Sequence, residues 1–126
     1  MRGIEFRGKV KKGGKWVYGY FSVSRSSNPS ACIASANKFD IDYVIPETVG
    51  EFTGFYDKNS VKIYEGDIVK TDYYSTPAMI EYVPGAFITS GLFLTETHNK
   101  TMEVIGNVFD NPQLLEKEKH NQNNDG

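Results

Sequence analysis

Apolar residues in this chain recur at every second position, in short runs that Gly, Pro, Asn or Asp cut off. A period of two places alternate side chains on opposite faces of an extended strand, so it commits the chain to β structure. Residues 4–10 (I-E-F-R-G-K-V) set apolar positions strictly against charged ones, the pattern of a strand with one buried and one wet face. Residues 11–15 (K-K-G-G-K) form a loop whose two glycines take positive φ at no steric cost. Residues 16–23 (W-V-Y-G-Y-F-S-V) resume as a strand that is apolar on both sides, and is therefore expected to be buried on both. Together they predict an N-terminal hairpin.

The same grammar continues. Residues 24–37, rich in Ser, Asn and Ala and holding Pro29, read as a loop, and residues 39–45 alternate again before Pro46. A second hairpin follows, with strands at 51–56 and 61–64 flanking Asp57-Lys58-Asn59-Ser60, whose Asp and Asn favour turn geometry. Glu65-Gly66 bends the chain into a strand at 67–74, in which Asp67 is placed to accept from turn N–H groups. Further strands are expected near 78–83, 86–94 and 101–109, with a turn at 97–100. Asp110 or Asn111 can cap a short helix that begins at Pro112. The last residues, 117–126, hold no apolar side chain and are expected to be disordered. Nothing here is long enough for the helical crossovers of a parallel sheet, so the chain is all-β, a small barrel or sandwich.

Composition bounds the rest. At 126 residues, 14.2 kDa and a mean hydropathy of −0.45, a single soluble domain is expected. The longest uncharged stretch, residues 82–95, is interrupted by Pro84 and Gly85 and falls short of the roughly 18 apolar residues of a membrane helix. The start lacks the apolar core of a secretory signal, and Cys32 is the only cysteine, which fits a reducing compartment. Net charge is −2, but it is unevenly spread. Residues 1–38 hold eight bases and one acid, a net of +7, while residues 39–126 hold six bases and fifteen acids, a net of −9. Such asymmetry is a hint of an anionic partner, although a basic segment can equally dock on the acidic part of its own fold.

The second hairpin carries a resemblance. Residues 47–59 (E-T-V-G-E-F-T-G-F-Y-D-K-N) and 63–69 (I-Y-E-G-D-I-V) are similar to the signature of the YopX family, small proteins encoded by bacterial phages and prophages. Residues 104–115 (V-I-G-N-V-F-D-N-P-Q-L-L) resemble that family's ending, and I-E-F-R near the start resembles its opening. Ser60 stands where the family usually has glycine, and Asn59 can supply the left-handed conformation instead. The resemblance implies a small SH3-like barrel and a cytoplasmic location in a bacterial host. It implies no reaction and no catalytic residue. The organisation expected is one all-β domain over residues 1–116, with an N-terminal hairpin region at 1–46 and a barrel core at 47–116.

No catalytic constellation accompanies this frame. Glu65 and Asp67 are better explained as turn chemistry than as an acid pair, and Asp40 and Asp42 as a solvated strand face rather than half a cation site. His98 and His120 have no ligand spacing around them, so no metal and no cofactor are expected. No base pairs with Cys32 or a serine in recognisable form, and no phosphate loop is present, so the chain is not expected to be an enzyme. Binding is the expectation. The first reading is a protein-interaction module for a host or phage protein, with a second copy of the chain as a further candidate partner. Its patch is the uncharged run with Phe87, Ile88, Leu92 and Phe93, treated as an unblocked edge strand. The alternative is weak single-stranded nucleic-acid binding by Arg7, Lys9, Lys11, Lys12 and Lys15, beside Trp16, Tyr18 and Tyr20, with an affinity that falls with salt.

Overall fold

The computed structural model describes residues 4–24, 30–35, 40–72, 74–89, 92–94 and 100–115, and all but one turn of its regular structure is β or 3-10. Of the turn expected at 97–100 only Lys100 is described, and His98, His120 and the polar tail lie outside the described residues, as does half of the loop expected at 24–37. The other half corrects that expectation, because Ala31–Ala34 forms a strand between two partners. The contacts divide the chain into two compact units, Met1–Phe52 and Thr53–Gly126.

The first unit contains β1 (Phe6–Lys9), β2 (Trp16–Val23), β3 (Ala31–Ala34), β4 (Ile41–Tyr43), a 3-10 turn at Pro46–Thr48, and the start of β5 (Gly50–Tyr56). All pairings are antiparallel, in the order β4-β3-β2-β1-β5. The predicted hairpin is present, with Arg7 opposite Tyr18 and Lys9 opposite Trp16. Its loop closes through the Val10 amide, which donates to the Lys15 carbonyl at 2.8 Å. The far edge of β4 returns to the end of β1: Val10 bridges Val44, and the Ile45 amide donates to the Lys9 carbonyl at 2.8 Å. Alternation then sorts the side chains. Ala31, Ile33 and Val44 form the buried cluster, with Phe6, Val17 and Val49 packed against it. Gly8 lies over Val44, where a β-carbon would come within 3.0 Å. Thr48 ties the 3-10 turn down, its hydroxyl accepting from the Lys9 amide and donating to the Ile45 carbonyl.

Two expectations for this unit are corrected. Alternation places Arg7 on the wet face of β1, yet it is only 6% exposed, with Trp16 beneath its guanidinium at 4.8 Å. β2 was expected to be buried on both faces, yet Tyr18, Tyr20, Phe21 and Val23 are exposed. Burial on both sides of a strand needs a layer on each. The one apolar cluster among the described residues of this unit covers Val17 but leaves Phe21 and Val23 exposed on the same face, and Tyr18 and Tyr20 on the other.

The second unit holds the rest of β5, then β6 (Lys62–Tyr64), β7 (Asp67–Thr71), β8 (Tyr74–Met79), β9 (Glu81–Val83), β10 (Ala86–Thr89), β11 (Leu92–Phe93) and β12 (Met102–Asn107). β6 lies beside β5, and two three-stranded sheets run β12-β7-β8 and β11-β10-β9. Pro77, which cannot donate to a ladder, sits in β8 at the edge of its sheet. Ile63, Val69, Ile80, Leu94 and Met102 form the core, joined by Phe55, Phe87 and Val104. The predicted C-terminal helix is one turn, residues 113–115. Asn111 does not cap it with its side chain, whose Oδ1 instead accepts from the Asn107 amide at 3.2 Å.

Candidate binding surface of the first unit

The register of the first unit determines which side chains share its outer face. Tyr20 stands opposite Ala34 and Ala34 opposite Ile41, while Cys32 links Ser22 to Tyr43. Tyr18 lies two residues before Tyr20 on the same strand and therefore on the same side. Tyr18, Tyr20, Ile41 and Tyr43 are 48, 61, 61 and 54% exposed, so an aromatic and aliphatic patch runs across β2, β3 and β4 on the side opposite the core. Cys32 lies buried in β3, its thiol donating to the Ser30 carbonyl at 3.5 Å.

The predicted cations divide by position. Lys11, Lys12 and Lys15 are exposed around the β1–β2 turn, next to the outer-face residues Trp16 and Tyr18. Lys9 is half-buried, and its stem lies against the backbone of Gly14. Arg7, stacked on Trp16, is buried. The structure thus brings three of the five to the surface.

The uncharged patch predicted in the second unit is not an exposed edge. β10 is the central strand of its sheet, Phe87 packs against the core and T-shaped against Tyr82 at 5.3 Å, and Ile88 is half-buried. The backbones of Leu92 and Phe93 pair with Thr89 and Ile88, and their side chains lie outside the described residues. A run without charges reads equally as patch or as core, and here Leu94 and Phe87 join the core while Tyr82 stays exposed.

The acidic motifs are turns. Asp67 is buried and its Oδ2 accepts from the Tyr64 amide at 2.7 Å, while the Gly66 amide donates to the Ile80 carbonyl. Asp57 is likewise buried: Oδ1 accepts from the Asn59 and Val61 amides, and Oδ2 from Val104. Among the described residues no three His, Cys, Asp or Glu side chains group closely enough to hold a metal ion. No helix among them is long and apolar enough to cross a membrane.

A family model described as YopX protein matches residues 5–116. The crystal structure of protein EF1440 from Enterococcus faecalis is similar in fold, with a TM-score of 0.53 at 24% identity, over 89% of this chain and 97% of that one. No curated protein matches.

Proposed function

We propose that this chain, which belongs to the YopX family, acts as a non-catalytic protein-interaction module. The observation that carries the reading is the contiguous exposed face of Tyr18, Tyr20, Ile41 and Tyr43. Solvent-facing apolar patches of this kind mark docking sites, and tyrosine is enriched in them because it offers a rigid apolar body with a polar tip. The exposed Lys11, Lys12 and Lys15 at one end favour a partner whose rim is acidic. The setting is that of a phage or prophage accessory protein in the bacterial cytoplasm, built around the SH3-like barrel that the family resemblance implies.

A second reading, single-stranded nucleic acid, is favoured by the same three lysines beside Trp16 and Tyr18, since bases stack on aromatic rings flanked by cations. One experiment separates the two. The tagged chain is used to capture partners from cells that express it, with and without nuclease, alongside a Tyr20→Asp/Ile41→Asp variant. Nuclease-resistant capture of a defined protein, lost in the variant at unchanged melting temperature, is the expected result. Capture that disappears with nuclease, and in a Lys11→Gln/Lys12→Gln/Lys15→Gln variant, transfers the function to nucleic acid. Undiminished capture by the Tyr20→Asp/Ile41→Asp variant overturns the assignment of the face.

A further inference from the structure

We propose that a hollow beside the β5–β6 turn, separate from the face just described, binds a small organic phosphate bearing a planar ring, of the mononucleotide class. The hollow has a volume of about 380 Å³, at the lower end of small-molecule sites. Tyr56 from the end of β5, Asp57, Lys58 and Ser60 from the turn, and Lys100 from the segment before β12 line it. All of these belong to the second unit.

The chemistry of the wall is one-sided. Asp57 is its only acid, and that carboxylate is turned into the protein, where three backbone amides occupy its two oxygens. The Lys58 amide donates to the Met102 carbonyl at 2.9 Å, which holds the turn against β12 and sets Lys58 and Lys100 on one hollow. Both lysines are exposed, and neither side chain has a hydrogen bond or ion pair among the described residues. Residues 53–126 carry six bases against eleven acids, a net of −5, so two lysines lining one hollow stand out from their surroundings. The turn itself needs an acceptor at Asp57 and a left-handed residue at Ser60. It makes no demand on the side chain of residue 58. Lysine ammonium groups recognise phosphate as point charges. The exposed Tyr56 offers a ring for a planar base, and the Ser60 hydroxyl a polar contact.

The test is a titration of the whole chain, followed by backbone amide NMR, with uridine monophosphate, uridine and inorganic phosphate as three separate probes. The monophosphate is expected to give saturable shifts at residues 54–60 and 100–102, and to bind tighter than either uridine or phosphate. Lys58→Ser and Lys100→Ser should each weaken it about three- to fivefold, as exposed charge pairs do. An unchanged spectrum elsewhere shows that the variants are folded. Uridine or phosphate binding as tightly as the monophosphate, shifts confined to other residues, or no saturable shift overturns the proposal. Any of these results leaves the protein-docking reading of the first unit as it stands.

Discussion

Ser60 is the one non-glycine residue among those described with a positive φ, at +65°. The left-handed conformation was expected at Asn59, and it falls one position later, where glycine carries no steric penalty. An L-residue there is strained by about 1–2 kcal/mol, partly offset by the greater chain entropy of glycine in the unfolded state. Ser60→Gly should therefore stabilise the protein by about 0.5–1 kcal/mol, read as a rise of a few degrees in thermal melting. A fall in melting temperature would show that the serine hydroxyl matters more than the backbone. Residue-level chemistry was legible where it was local: Asp57 accepts from amides two and four residues on, as its turn composition predicts. Its third bond, to Val104, spans 47 residues and has no trace in the spacing. The burial of Arg7 was hidden for a similar reason. Alternation assigns a side chain to a face, whereas Trp16, brought beside it by the hairpin register, decides whether that face is wet.

Among the elements, β2 shows what alternation can and cannot reveal. Its existence, its hairpin with β1 and the partition of its side chains between two faces follow from the sequence. Which face receives a covering layer does not, since that depends on how much apolar material the rest of the unit supplies. Its pairing with β3 also rests on a single atom too small to notice in a hydropathy pattern. A β-carbon on Gly19 would sit 1.9 Å from the Ala34 carbonyl oxygen, a backbone atom that cannot step aside without breaking the ladder. Gly19→Ala should cost several kcal/mol, as overpacked core sites do, and should lower the melting temperature by ten degrees or more, on the order of magnitude expected for a small domain. A loss of only a degree or two would mean that β2 and β3 pair more loosely than the register implies. β10 teaches the complementary lesson. Its lack of charge, read as an unblocked edge, belongs to a strand flanked on both sides.

For the whole molecule, charge is the property that sequence predicts best and the fold modifies least. Residues 1–52 carry eight bases and five acids, a net of +3, against −5 for residues 53–126. Near the sequence pI of about 5.7 the net charge vanishes while the asymmetry persists, so the basic unit of one copy should attract the acidic unit of another at low ionic strength. Light scattering near that pH should give a mass above 14.2 kDa in dilute buffer that returns to the monomer value as salt screens the attraction. A mass indifferent to salt removes the electrostatic account, and a salt-resistant dimer would point to the tyrosine face instead. β5 carries a consequence of another kind. It crosses from one unit to the next without a linker: Gly50 and Glu51 pair with β1, whereas Thr53, two residues after Glu51, donates its hydroxyl to the Ile63 carbonyl and Phe55 packs into the other core. In a strand the position of every side chain is a matter of parity, so a codon gained or lost between Phe52 and Thr53 reverses the face of the rest of β5 relative to Gly50 and Glu51. Turns such as residues 11–14 absorb such errors as slack. A residue inserted in β5 should therefore cost more stability than one inserted at 11–14, because the strand must give up its register while the turn only lengthens.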